Sequence, residues 1–205
     1  MIAVEIEKKL KAYNGLQVLR IKKTFLPGGI TRITGPSGAG KTTLLKMIAG
    51  LISPDSGIIK TNDTNWFDAS QKTNLPPQQR RVGFVFQDYA LFPNMTVKQH
   101  LEYATVDAEW ITRLLTIGGL ETFTTHKPDH LSGGQQQRLA IMRALAIKPK
   151  LLLMDEPFSA LDLKMKSALI TDLQVLFTEL GTTTLIVSHN PQELDGVSGD
   201  ELEIG

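Results

Sequence analysis

The chain has 205 residues, no cysteine, and 22 Lys and Arg against 21 Asp and Glu, for a formal net charge of +1. That length suits one domain, or one domain with an inserted subdomain, and supports a core without disulfides or structural metals. The missing cysteines exclude a disulfide scaffold, a thiol nucleophile and a Cys-based zinc site and fit a reducing cytosol, and the interspersed charge leaves no footprint for nucleic acid or an anionic membrane.

Met1–Glu7 alternates and meets charge at once, which predicts a strand over Ala3–Glu7 and not a signal peptide. Strands follow at Val18–Phe25 and Ile30–Thr34, set off by turn signals at Asn14-Gly15 and Pro27-Gly28-Gly29. A helix runs from Lys41 to about Gly50 with Leu44, Leu45, Met47 and Ile48 on its apolar side. Gly57–Lys60 reads as a strand, and the polar stretch from Thr61 to Gln79 carries little periodicity. Val82–Phe86 is an uninterrupted apolar run, as expected of a strand buried on both faces.

From about Asp88 to Ile147 the pattern turns helical, with helices predicted over Val97–Ala104, Ala108–Ile117 and Gly133–Ile147. Leu151–Met154 and Thr184–Val187 return as apolar strands around a helix at Leu163–Leu180, and Glu201–Gly205 reads as a terminal strand. No apolar run approaches the roughly 20 residues of a spanning helix, so the chain is expected to be soluble by itself. The order predicts an α/β protein: a nucleotide-binding core from residues 1–87 and 148–205, with an N-terminal antiparallel β part, and an inserted α-helical subdomain over residues 88–147.

Gly35-Pro36-Ser37-Gly38-Ala39-Gly40-Lys41-Thr42 matches G-x-x-x-x-G-K-[ST] in full, between a predicted strand and a predicted helix. Glycines let such a loop curl until successive backbone N–H groups converge on phosphates, and the helix adds its positive end. Lys41 is placed to reach the β- and γ-phosphates of ATP, the Thr42 hydroxyl to ligate Mg²⁺, and Thr43 to join the nucleotide contacts. Further on, Leu151-Leu152-Leu153-Met154-Asp155-Glu156-Pro157 is an apolar strand ending in two acids. A parallel strand beside the P-loop strand delivers both at its carboxyl end, Asp155 for the Mg²⁺ shell and Glu156 to orient or deprotonate the attacking water.

With these two sites in view, Leu131-Ser132-Gly133-Gly134-Gln135-Gln136-Gln137-Arg138 resembles the signature motif of ABC transporter ATPases, a P-loop NTPase family. The resemblance covers essentially the whole chain. It implies that Gln87 is the Q-loop glutamine touching Mg²⁺ and the water, that Ser159-Ala160-Leu161-Asp162 is the D-loop, and that His189 is the switch histidine on the γ-phosphate. It also implies that Tyr13 stacks on adenine. Ser132-Gly133-Gly134 opens a helix and so forms a second anion site. The resemblance implies that two copies join head to tail, with Ser132, Gly133, Gly134, Gln135 and Asp162 of one serving the ATP of the other. Ser132 and Gln135 also read locally as a capping box, which leaves two consecutive glycines without a role.

Arg80–Val97 is similar to the nucleotide-binding subunits of bacterial importers, most of all those for molybdate and then those for sulfate, iron or polyamines. That similarity implies a transmembrane permease contacted through Tyr89-Ala90-Leu91-Phe92-Pro93, a solute-binding protein beyond it, and residence at the cytoplasmic face of the membrane. Many members carry a further C-terminal domain that senses anions; none is expected within these 205 residues, so direct anion sensing is not expected of them. The competing readings are a non-transport ABC protein, which typically carries coiled-coil insertions or a second cassette, and a catalytically dead binding module. The presence of Lys41, Asp155, Glu156 and His189 argues against the last. His100, His126 and His130 show no ligand spacing and read as structural.

Overall fold

The computed structural model describes residues 1–12, 15–62, 64–189 and 196–205. Strands β1 (Ile2–Ala12) and β2 (Gly15–Phe25) form a hairpin, followed by β3 (Ile30–Thr34), helix α1 (Lys41–Ala49), and β4 (Ser56–Thr61), β5 (Asn65–Asp68) and β6 (Thr73–Asn74). Then come α2 (Pro77–Arg80), β7 (Gly83–Val85), α3 (Val97–Glu102), α4 (Ala108–Gly118) and α5 (Gly133–Ala146). The chain closes through β8 (Leu151–Asp155), α6 (Leu163–Leu180), β9 (Thr183–Val187) and β10 (Asp200–Glu203).

Two five-stranded sheets result, one antiparallel in the order β2-β1-β4-β5-β6 and one parallel in the order β10-β3-β9-β8-β7. In the antiparallel sheet Ile2, Val4 and Ile6 point inward, while Glu5 and Glu7 lie outside opposite Lys22 and Arg20. This period of two fixes the register, because a one-residue slip exposes the whole apolar set. The parallel strand β8 is buried along its length. Leu151 and Leu153 join α1 and the inner face of the antiparallel sheet in one core, and Leu152 and Met154 join α5 and α6 in the other.

Three sequence expectations are corrected here. Val82–Phe86 was expected to be buried on both faces, but β7 is only Gly83–Val85 and is the edge of its sheet, with Phe84 half-buried. The acidic strand was expected beside the P-loop strand, but β9 lies between β3 and β8. The polar stretch Thr61–Gln79 holds β5 and β6, whose Trp66, Phe67 and Asp68 are buried.

Arg80 explains why that stretch is ordered. Its guanidinium is buried and donates to the carbonyls of Leu75, Met47, Ile48 and Trp66 and to Asn74 Oδ1, at 2.8–3.1 Å. Two of these are the terminal carbonyls of α1, where the helix dipole favours a cation. Burial still draws the guanidinium pKa down to about 10. The rear of the P-loop helix is thus locked to the antiparallel sheet. Among the described residues no helix is long and apolar enough to cross a membrane.

Candidate functional site

The turn from β3 into α1 runs through three glycines at positive φ, Gly35 (141°), Gly38 (82°) and Gly40 (102°), a conformation that side-chain-bearing residues rarely adopt. Sterics add a second reason at two of them. A Cβ on Gly35 would lie 2.0 Å from the carbonyl oxygen of Ile204, and one on Gly40 would lie 2.9 Å from methyls of Leu10 and Leu19. Gly40 occupies the N-cap of α1 with no side chain accepting from the first turn, so those N–H groups face the loop's concavity without a cap.

Ser37, Gly38, Gly40, Lys41, Thr42 and Thr43 border a cleft of about 530 Å³ that also meets Leu10, Gln87, Glu156 and His189. Gly35, Pro36 and Ala39 do not line it. Ala39 packs in the core, and the carbonyls of Gly35 and Pro36 accept from Lys41 Nζ at 2.8 and 2.9 Å. Beside it, Thr42, Lys46, Gln87, Asp88 and Asp155 border a second hollow of about 680 Å³. Thr42 and Gln87 stand between the two.

The Thr42 hydroxyl donates to Asp155 Oδ1 at 3.0 Å. Burial pushes the Asp155 carboxyl above its ordinary value, against the Thr42 hydrogen bond and the charges of Lys46 and Lys41. These hard oxygens suit Mg²⁺ and not a soft metal. Among the described residues no cluster of three or more His, Asp or Glu side chains is arranged to hold a metal unaided.

Glu156 follows β8 in the left-handed region, at φ 53°. Its N–H donates to Val187 O on β9, and its carboxylate Oε1 accepts from the His189 N–H at 2.9 Å. His189 Nδ1 stands 2.9 Å from Oε2, close enough to pair when the imidazole is protonated. The approach is off the line of a hydrogen bond, and this buried oxygen has no hydrogen-bond partner. β9, interposed between β3 and β8, therefore carries His189 to the acid.

The remaining expected residues lie elsewhere. Ser132, Gly133, Gly134 and Gln135 open α5 and, like Asp162 at the start of α6, do not line the cleft. Asp162 caps α6 by accepting from the Met165 N–H at 2.9 Å. Tyr13 is outside the described residues. Sequence reasoning missed Leu10 and Leu19, which flank Gly40. The predicted strand stopped at Glu7, although the alternation of Ile2, Val4 and Ile6 resumes at Leu10 after the charged Lys8.

A glycine cradle on an uncapped helix, a buried acid against the P-loop threonine and a second acid with a histidine define a P-loop nucleotide-binding cassette. A family model described as ABC transporter matches residues 18–159, well over half of the chain. The chain belongs to that family and is an ATPase domain of it.

Relatives include the spermidine/putrescine import ATP-binding protein of Fusobacterium nucleatum, 43% identical over 92% of this chain and 51% of its own. The sulfate/thiosulfate import ATP-binding protein of Mycobacterium bovis is 40% identical over 93% and 55%, and the molybdenum import ATP-binding protein of Haemophilus ducreyi 39% over 95% and 55%. The chain therefore spans about half the length of these three relatives. A bacterial ABC transporter cassette solved as a dimer matches with a TM-score of 0.79 at 30% identity, over 100% of this chain and 95% of that one. The same cassette in a post-hydrolysis state with ADP and Pi matches with a TM-score of 0.81 at 30% identity, over 100% and 94%. Molybdate-type importers are thus one of several groups at about 40% identity.

Proposed function

We propose that the chain is the ATP-hydrolysing subunit of an importer, acting as a head-to-tail homodimer on a permease at the cytoplasmic face of the membrane. The observation that carries the catalytic part is Glu156. Its buried Oε2 lacks a hydrogen-bond partner beside the P-loop, while Oε1 is fixed by the His189 N–H. Glu156 borders the cleft beside the P-loop, and it orients the attacking water and relieves it of a proton. His189 and Gln87 border the same cleft and complete the γ-phosphate end.

Lys41 exchanges the carbonyls of Gly35 and Pro36 for the β- and γ-phosphates of ATP. Thr42 and Asp155 hold Mg²⁺, with Gln87 at the edge of the same hollow. Bound there, Mg²⁺ neutralises charge on the phosphates. Leu10, on the β1–β2 hairpin, borders the cleft, and Tyr13 is assigned to the adenine. Ser132, Gly133, Gly134, Gln135 and Asp162 are assigned to the partner copy's ATP. The single domain with residues 88–147 as a helical insertion is part of this reading.

Tyr89–Pro93 is assigned to the permease. Tyr89 and Ala90 stand at positive φ (64° and 46°), with their carbonyls accepting from Arg143 on α5, and Phe92 is exposed. The cargo is assigned as molybdate or a related oxyanion, on the likeness of Arg80–Val97 and the names of two of the three relatives above. A polyamine is the second reading, favoured by the 43% relative.

Glu156→Gln tests the cycle. It keeps ATP binding, slows hydrolysis by at least about 100-fold and traps a dimer visible by light scattering. Monomer alone at saturating Mg-ATP, for both wild type and variant, removes the sandwich. In the complex reconstituted with its permease and binding protein, the solute that stimulates hydrolysis names the cargo, and spermidine outperforming molybdate overturns the oxyanion assignment.

A further inference from the structure

The carboxylate of Glu156 is anchored to β9, but its own peptide is anchored elsewhere. Gln137, one turn into α5, is 1% exposed. Its Nε2 donates to Glu156 O at 3.0 Å and to Ser159 Oγ at 3.2 Å, and its Oε1 accepts from the Ala160 N–H at 3.1 Å. Both amide hydrogens and the amide oxygen are therefore used. The orientation is forced, because a flipped amide sets NH₂ against the Ala160 N–H and oxygen against the Glu156 carbonyl. The Ser159 hydroxyl gives a second bond to Glu156 O, at 3.2 Å.

Glu156 needs such support. A non-glycine residue at φ 53° holds that conformation only where its surroundings over-determine it. On one side stands the Val187 carbonyl accepting from its N–H, and on the other stands Gln137.

We infer that Gln137 is a positioning residue for hydrolysis. It fixes the Glu156 peptide, and hence the aim of the catalytic carboxylate, from the helix that carries Ser132 at its start. The inference rests on the reading of Glu156 as the base. In a head-to-tail pair it links two ATP sites inside one copy. α5 meets the partner's nucleotide at its N-terminus and holds this copy's own base at Gln137, so a displacement of α5 by one nucleotide re-aims the acid at the other. A side chain that only filled space would need no amide at this position, since Leu139, Ala140 and Ile141 pack the same helix without polar atoms.

The test uses the intact chain and compares Gln137→Met, which keeps length and removes all three bonds, with Gln137→Glu. The latter keeps an acceptor for Ala160 but sets a carboxylate against the Glu156 carbonyl. Both variants are expected to lose about 10- to 100-fold in kcat, with KM for ATP within about twofold of wild type. Gln137→Met added to Glu156→Gln is expected to cost nothing further, because the group being aimed is already disabled. Ser159→Ala, at an exposed position, removes the second bond and is expected to cost about threefold in kcat. It reports even where a Gln137 variant does not fold.

A kcat within about twofold of wild type for Gln137→Met, or for Gln137→Glu and Ser159→Ala together, overturns the positioning role. So does an equal proportional loss in the Glu156→Gln background, the mark of a merely structural residue. Glu156→Gln hydrolysing at the wild-type rate overturns the base assignment and this inference with it, a result no Gln137 variant produces.

Discussion

Two helix N-termini of this chain present the same peptide dipole and are finished in opposite ways. At α1 the N-cap is Gly40 at φ 102°, and no side chain accepts from the first turn. At α5 the cap is Ser132, whose hydroxyl accepts from the Gln135 N–H while Gln135 Oε1 accepts from the Ser132 N–H. The first end leaves its donors to a ligand. The second satisfies two of them internally and leaves the N–H groups of Gly133 and Gly134 outside the box, on an exposed or half-exposed stretch. The capping and anion-binding readings of Ser132–Gln135 are therefore compatible, since they use different donors. The difference teaches that an anion site is marked less by a helix start than by what is withheld from capping it.

The largest effect that follows is at the uncapped end. Lys41→Ala is expected to cut ATP hydrolysis by at least about 100-fold, the scale for removing a group aimed at transferring charge. Steady-state phosphate release checks it, and activity within tenfold of wild type would put the phosphates elsewhere. At the capped end the effects are smaller and of two kinds. Ser132→Ala is expected to lower stability by about 1 kcal/mol, as for loss of a side-chain cap. If the Gly133 and Gly134 donors meet a partner's phosphate, the misset first turn also costs hydrolysis roughly tenfold, with nucleotide binding to the monomer unchanged. A stability loss alone, with full hydrolysis, reduces Ser132 to a cap.

The same contrast governs what could be read from sequence. The P-loop was legible because its chemistry is local, with spacing, glycines, lysine and hydroxyl all inside eight consecutive residues. Helix α6 was legible from its periodicity, and its observed span Leu163–Leu180 matches the expectation. β5 and β6 were not, because Trp66 and Phe67 are buried in a core made with distant elements, with Arg80 tying the Trp66 carbonyl to the end of α1, and not through any local pattern. Strand order was equally hidden. Nothing in Leu151–Asp155 or Thr183–Val187 states which of two apolar strands sits beside β3, so the interposition of β9, and with it the meeting of His189 and Glu156, had to come from the fold. Gln137 was hidden for a third reason, since in a run of three glutamines only the fold tells which one turns inward.

The smallest effect sharpens why the uncapped end needs its ligand. Asp155 is buried beside it, and burial raises its carboxyl above the ordinary value of 3.8 despite Thr42, Lys46 and Lys41. A raised folded-state pKa means that the folded chain holds the proton more tightly than the unfolded one, so stability falls as pH rises through the folded value. Below pH 3.8 both states are protonated and the group contributes no such loss. Asp155→Asn keeps an oxygen for the Thr42 hydroxyl and carries no charge. Without nucleotide or metal, the variant is therefore expected to melt a few degrees above wild type at neutral pH, with the gap closing on acidification toward 3.8. Scanning calorimetry across that range checks the sign. A variant no more stable than wild type at neutral pH means that Lys41 and Lys46 already offset the buried charge, leaving the metal to serve chemistry and not the fold.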